Sequence, residues 1–489
     1  MAGDEAAALA ASKRGAMVAA AGCGKTHTIA AAVAKHCDGR QLVLTHTHAG
    51  VDALRAKLKN LGVPSSRFHV DTIAGWSLRL SAAFPKSSAV TVLKPKTQDE
   101  YLAIYKGTES LLRMRPHQEI LRASYAGVFV DEYQDCTEEQ HRVVLALRDL
   151  LPTRIVGDPL QGIFNFNKNK TVIWPQHVAR EFDEVQGPVR PRRWEGKNED
   201  LGKWLMGVAR DKMEAGEELD LTNAPLDWVA VGDRARVVSA CHAAADSGGT
   251  VVAIPARPQG WHDIATKLRG RFSCVEPVDS KDLYEAARAI GGSAGGERSV
   301  AVVDFACKCM TKVGTELASA RSALERGNDP KSKKYAQQVA ALLAVRDGRS
   351  LRSVAPALDG MRNINGVVVY RRELLSEMLR ALRLLESGEA AGLEEAAWSA
   401  RNMTRERGRD CPKYAVGTTL LVKGLEFDHA IVLDADAMDA QNFYVAMTRG
   451  SRSLTVVSKR RLVKPNPPGG KAVAKHMDQH EPAVGRRST

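Results

Sequence analysis

The sequence predicts an α/β protein with two parallel-sheet domains, the second interrupted by a helical insert. Short, continuously apolar runs recur at Leu42–Leu44, Val128–Val130, Ile155-Val156, Val251–Ile254, Ala430–Leu433 and Leu454–Val457, each followed by turn residues and then a helical pattern. Strands apolar on both faces and alternating with helices belong to parallel sheets covered on both sides. The runs fall into two clusters, one before about residue 190 and one after it. Between 310 and 408 the texture turns helical. There Leu374, Leu375, Met378, Leu382 and Leu385 recur at helical spacing among Arg372, Glu373, Glu377, Arg380 and Arg383. The expected organisation is therefore a first domain over 1–190 with a small insert at about 81–122, and a second domain over 191–309 and 409–460. The helical insert spans 310–408, and 461–489 form a basic tail rich in Pro and Gly, expected to be flexible.

Length and composition fit this organisation. A chain of 489 residues allows about three domains and a large buried core. Hydrophobic content of 44% and charged content of 26% exclude a mostly disordered chain. No run approaches the roughly 18 apolar residues of a membrane span. The Ala-rich start, Ala6 to Ala11, follows Asp4 and Glu5 and is cut by Lys13 and Arg14, which speaks against a secretory signal. A soluble cytoplasmic protein without a membrane partner is expected. Seventy Lys and Arg against 57 Asp and Glu leave a net charge of +13, which favours a polyanionic partner such as nucleic acid. The eight cysteines are scattered without a CxxC pair, and Cys307 and Cys309 lie too close for an ordinary zinc knuckle, so reduced and mostly buried thiols are expected.

The sharpest local signal is Ala19-Ala20-Ala21-Gly22-Cys23-Gly24-Lys25-Thr26, after the apolar Met17-Val18 and before the helical run Ile29 to Val33. A strand, a loop of small residues and a helix start let consecutive backbone N–H groups wrap a phosphate chain. Lys25 would reach the β and γ phosphates and the Thr26 hydroxyl would ligate Mg²⁺. The first position is Ala rather than the Gly of the strict pattern. The second signal is Val128-Phe129-Val130-Asp131-Glu132-Tyr133-Gln134-Asp135. Two adjacent carboxylates at the end of an apolar strand place one on a metal and leave the next facing the reacting phosphate. Asp131 would hold Mg²⁺, and Glu132 would orient and deprotonate the attacking water. Arginines suit the charge that spreads over the γ oxygens during phosphoryl transfer, but composition cannot choose them among seventy cationic residues.

Eight blocks occur in one order: AAAGCGKT (19–26), LTHTHAGVDALRAKL (44–58), DTIAGW (71–76), VDEYQD (130–135), VGDPLQGIFNF (156–166), RRWEGKN (192–198), VKGLEFD (422–428) and YVAMTRG (444–450). This order resembles the superfamily 1 helicases of the UvrD/Rep type, in a compact form with reduced insertions. The resemblance implies two RecA-like P-loop domains with the nucleotide, ATP with Mg²⁺, in the cleft between them. It implies that Gln161 senses the γ phosphate, that Arg193 and Arg449 act as arginine fingers, and that Glu426 contacts the ribose. It also implies single-stranded or partly duplex DNA as partner, movement from 3′ to 5′, and a setting in a bacterial or phage-infected cell. Thr47 and Thr72 resemble backbone-phosphate contacts, and His46 stands where the family stacks a Phe. Phe164 and Phe166, two apart on an extended segment, would stack on bases of a single strand.

The departures are specific. No Gln precedes Gln41, whereas the family reads adenine with a Gln ahead of the loop. His27 and Arg192 occupy the places of the Arg and Tyr that sandwich the base, which implies looser nucleotide selection. Ala74-Gly75 replaces a His-Ser pair, and Leu420 replaces a His in the block around 422–428. These thin the DNA-contacting motifs more than the hydrolytic ones. Three readings follow: an ATP-dependent DNA helicase or translocase; a DNA-stimulated ATPase acting as a switch or sensor for a protein partner, as in phage defence; and a P-loop protein of another class such as a nucleotide kinase, which leaves both finger motifs unexplained.

Overall fold

A computed structural model describes residues 5–95, 97–164, 171–277, 280–407 and 411–466; Phe166 and the tail from 467 lie outside the described residues. By its internal contacts the chain divides into two compact units.

The first unit is built on a six-stranded sheet of β1 (Gly15–Val18), β2 (Gln41–Thr45), β3 (Phe68–Thr72), β4 (Gly127–Val130), β5 (Thr153–Gly157) and β6 (Asp183–Val185), in the order β3-β2-β4-β5-β1-β6. Every pairing in it is parallel. Side chains on alternate residues point to opposite faces. Met17, Val43, Phe129 and Val156 therefore enter one core with Ile29, Val33 and Leu54 of the flanking helices. Ala16, Leu42, Leu44, Val128, Val130 and Ile155 enter the other, with Trp76, Val144 and Leu147. The register sets Val18 beside Gly157 and Val130 beside Ile155. The loops leaving β1, β4 and β5 consequently emerge together at the carboxyl edge, where open α/β sheets bind ligands. Helices start where a side chain can satisfy their free N–H groups. Thr47, Thr72 and Thr137 cap the helices His48–Asn60, Ile73–Ala83 and Glu138–Arg148. The small insert contains the helices Pro85–Ser88, Gln98–Leu112 and Arg115–Ser124.

This unit does not stop near residue 190. It runs to Trp228 and takes in Ala435–Leu454 and the described residues from Ser458. The reason is a set of hydrogen bonds across the sequence: Trp194 Nε1 donates to Gly450 O at 2.9 Å, Lys197 Nζ to Ser451 Oγ at 3.1 Å and Asn198 Nδ2 to Arg452 O at 2.9 Å. A small antiparallel pair, β7 (Leu219–Asp220) with β14 (Leu462–Val463), also belongs to it.

The second unit takes Val229–Asp434 and Thr455–Val457. Its sheet has the order β10-β11-β9-β12-β13-β8, from β8 (Asp227–Ala230), β9 (Val251–Ile254), β10 (Ser273–Cys274), β11 (Tyr414–Val416), β12 (Phe427–Val432) and β13 (Gly450–Ser458). The pairings of β9 with β11 and β12, and of β10 with β11, are parallel. The architecture is thus α/β with two six-stranded sheets, as the alternating pattern predicts. Between β10 and β11 lies the helical region, which begins at Lys281 rather than 310. The helices Lys281–Gly292 and Gly295–Cys309 share one core with the later ones, including Phe305, Leu342, Leu374 and Met378. Their buried stripes rest partly on Ala286, Ala287 and Ala306, small side chains that give a weak apolar signal.

All eight cysteines are free thiols; Cys307 and Cys411 are half-buried and the rest are buried. Among the described residues, no helix is long and apolar enough to cross a membrane.

Candidate nucleotide site

The phosphate loop joins β1 to the helix Lys25–Lys35, and its shape is imposed from outside as well as by its glycines. Gly22 has φ +74°, and a Cβ there would lie 2.6 Å from the Trp194 ring and 2.9 Å from Arg193 Cβ. Gly22 O accepts from Arg193 N at 3.1 Å. The Arg193-Trp194 pair therefore sits on the loop, and only a residue without a side chain fits beneath it. Lys25 is buried, and its ammonium donates to Ala19 O at 3.0 Å and Ala20 O at 3.4 Å. It is thus held at the mouth of the loop, the place from which a bridging phosphate would recruit it. Ala21 is buried, and the Cys23 thiol faces Met206 Sδ at 3.3 Å, with burial pushing its pKa up to about 11.

Thr26 Oγ1 donates to Asp131 Oδ2 at 2.9 Å, so the two expected Mg²⁺ ligands already touch. Burial, with the neighbouring Glu132 carboxylate second, pushes the Asp131 carboxyl up to about 6. A buried carboxylate short of positive charge beside a hydroxyl oxygen is a fitting donor set for a small hard cation. Among the described residues no group of three or more His, Cys, Asp or Glu is arranged to hold a metal.

Glu132 adopts a left-handed backbone, φ +55° and ψ +42°, unusual for a residue with a side chain. A bonded series runs from it. Gln134 Nε2 donates to the Glu132 carboxylate, and Gln134 Oε1 accepts from Asp158 N at 2.9 Å. Asp158 Oδ2 accepts from Gln161 Nε2 at 2.7 Å. The expected water-orienting base and the expected γ-phosphate sensor are therefore linked by two side chains.

Arg193 NH1 donates to Thr448 O, and Arg193 lies against the loop as described. Arg449, buried, donates from Nε to Val445 O at 2.9 Å and from NH2 to Thr448 Oγ1 at 3.1 Å. Both arginines belong to the same compact unit as Lys25. Sequence reading expects them on a separate domain; the structure groups 191–228 and 435–454 with the first sheet instead.

His27 and Arg192 flank Gly24: a Cβ there would lie 3.8 Å from His27 Cβ and 3.3 Å from Arg192 Cδ. Burial first, then the Arg192 charge, holds the His27 imidazole below its ordinary value. The pair thus stands at one place beside the loop, with one neutral ring and one cation. Glu426 is exposed, between the short helix Thr419–Val422 and β12 in the second unit.

The expected DNA contacts are more dispersed. Thr47 lies two residues past the end of β2 and Thr72 is the last residue of β3; each hydroxyl accepts from a backbone N–H, Gly50 N at 3.1 Å and Gly75 N at 2.9 Å. Thr47 is exposed and Thr72 buried. His46 Nε2 lies 3.3 Å from Cys136 Sγ, and Phe164 is half-buried.

Sequence reading missed Arg210. It starts the helix Arg210–Ala215 and grips both oxygens of the fully buried Asp158, NH2 to Oδ1 at 2.9 Å and NH1 to Oδ2 at 3.1 Å. Burial alone would lower its pKa, but the Asp158 charge outweighs this and holds the guanidinium above its ordinary value. A cavity of about 510 Å³ beside the loop is lined by Ala19, Ala20, Lys203, Met206 and Arg210. No sequence signal isolates this arginine, since it lies outside every motif block.

Residues 4–167 match the family model described as an AAA domain, a span that holds the phosphate loop, the carboxylate pair and Gln161. Over that span the chain is similar to AAA domains. No curated protein matches the chain. Among solved structures, the arterivirus nonstructural protein 10 helicase, determined in complex with DNA, matches at 15% identity with a TM-score of 0.28. That match covers 53% of this chain and 50% of the viral one, so the chain spans about half the length of that helicase.

Proposed function

We propose that the protein is an ATP-dependent DNA helicase or translocase of the superfamily 1 type, moving on single-stranded DNA from 3′ to 5′. The observation that carries the reading is convergence: Lys25, Thr26, Asp131, Glu132, Gln161, Arg193 and Arg449 all lie in one compact unit, and those from loops gather at one sheet edge. In this reading the two sheets are RecA-like domains and the helices from Lys281 are the insert of the second. Glu426 serves the ribose, and His27 with Arg192 faces the base.

Phosphate oxygens would replace the carbonyls of Ala19 and Ala20 as partners of the Lys25 ammonium. Thr26 and Asp131 would hold Mg²⁺, which supplies charge neutralisation on the phosphates. Glu132, its carboxylate steadied by Gln134, would take the proton of the attacking water. Gln161 would release Asp158 to reach the γ phosphate, and Arg193 would leave Thr448 O to do the same. Phe164 follows Gln161 by three residues, so the rearrangement would pass directly into the segment proposed to stack on bases. Thr47 and Thr72 would take the strand's phosphates with hydroxyl hydrogens, since their oxygens already accept from the backbone. His46 and Phe166 belong to the same proposed track.

The thinned motif at Ala74-Gly75, which forms the first turn of a capped helix, favours one second reading: a DNA-stimulated ATPase that serves a protein partner without unwinding. One experiment tests both. Steady-state ATP turnover is measured with and without single-stranded DNA at two salt concentrations, beside a strand-displacement assay, for wild type and Lys25→Ala. Turnover that rises with DNA, duplex opening, and loss of both in Lys25→Ala are expected. Stimulated turnover without opening leaves the switch reading; absence of turnover refutes both.

A further inference from the structure

Asp158 is a fully buried carboxylate with four local duties. It accepts from Gln161 Nε2 at 2.7 Å and Leu160 N at 3.2 Å, donates its N–H to Gln134 Oε1 at 2.9 Å, and receives the two-nitrogen grip of Arg210. The Arg210 guanidinium also reaches Tyr444 OH at 3.4 Å and lies 5.7 Å from the centre of that ring. Glu214, one turn on at 2.7 Å, orients it from the outer side. Tyr444 stands on the helix Ala440–Met447, five residues before Arg449.

We propose that Arg210 is a positioning residue for hydrolysis: it fixes Asp158, and through it Gln161, while holding Tyr444 and the helix that leads to Arg449. The γ-phosphate sensor and the finger arginine are thereby set by one guanidinium. The inference rests on the ATP-hydrolysis reading above. Three physical points carry it. A buried carboxylate without a cation is costly, so Asp158 keeps its place only while Arg210 is there. The planar fork serves two carboxylate oxygens and an aromatic face at once, which an ammonium cannot do. Gln161 has its amide on the carboxylate that Arg210 holds, so movement of Asp158 moves Gln161.

The test uses the full chain carrying Arg210→Met or Arg210→Lys. Three quantities are measured: ATP turnover, affinity for a fluorescent ADP, and affinity for ADP with aluminium fluoride, which occupies the γ position. Arg210→Met is expected to lower kcat roughly ten- to a hundredfold, the usual range for hydrogen bonds to a charged group. Binding of ADP with aluminium fluoride should fall by a similar factor, while KM and ADP affinity stay within about twofold. Arg210→Lys, which keeps the charge and so protects the fold, should recover part of kcat but not all. Equal losses of ADP and ADP–aluminium fluoride affinity would assign Arg210 a purely structural role and overturn the proposal. So would Arg210→Met turning over like a wild type that is itself active. A wild type without turnover would overturn the hydrolysis reading, and this inference with it.

Discussion

Replacing Gly22 by Ala separates contact from backbone conformation as the cause of the loop's shape. Ala at φ +74° costs about 1–2 kcal/mol from the left-handed conformation alone. Its Cβ would also press within 2.6 Å of the Trp194 ring, which is fully buried and fixed by its bond to Gly450 O, so it cannot yield cheaply. Overpacking of this kind adds about 1–3 kcal/mol. Gly62 supplies the control: its φ is +71°, yet nothing lies within 4 Å of where its Cβ would stand. Gly62→Ala should therefore show the conformational cost by itself. At roughly 2–4 °C per kcal/mol for a unit of this size, the two variants should differ in melting temperature by roughly 2–12 °C. Calorimetry on both, with and without nucleotide, reads the difference. Gly22→Ala should also lose nucleotide-dependent stabilisation, whereas Gly62→Ala should keep it. Equal melting temperatures would refute the claim that Arg193 and Trp194 clamp the loop.

Two further outcomes are expected. Thr26→Val removes one of the two touching oxygens and should raise the Mg²⁺ concentration for half-maximal turnover by about tenfold or more, with Thr26→Ser close to wild type; a Mg²⁺ titration of turnover checks it. His141 Nδ1 is hydrogen-bonded with Tyr133 OH at 2.6 Å, and burial, with His177 second, lowers its pKa to about 4. Between pH 6.5 and 4 the unfolded chain binds a proton that the fold refuses, so stability falls as pH drops through that window, by up to about 3 kcal/mol. Denaturant midpoints at pH 5 and 7 should show the fall in wild type, and a shallower one in His141→Gln.

What was legible in the sequence follows from burial. The interior strands β2, β4, β5, β9 and β12 are apolar on both faces and announce themselves. The four edge strands β3, β6, β8 and β10 do not, because an edge is short or half-wetted: β3 begins Phe68-His69 with both residues only partly buried, and β10 has two residues. The phosphate loop and the carboxylate pair were readable because each is local, a few residues whose geometry follows from one strand end. Arg210 was not, since its meaning comes from Asp158, 52 positions away, and Tyr444, 234 away. The placement of Arg193 and Arg449 with the first sheet was likewise hidden. Trp194 and Gly450 meet across 256 residues, and no local pattern encodes that meeting.

That meeting has a consequence for biosynthesis. The first unit is threaded by a long detour, since Val229–Asp434 lie between its two parts. A ribosome delivers the phosphate loop early, but Trp194, which rests on it, meets its acceptor only some two hundred and fifty residues after Trp194 itself is made. The nascent loop must therefore wait with its indole unsatisfied until nearly the whole chain has emerged, and pairings this distant in sequence form slowly. A chain halted ahead of Ala435 would carry the phosphate loop and the carboxylate pair but lack both Arg449 and the acceptor for Trp194, so an incomplete copy leaves the first unit unfinished by its own topology.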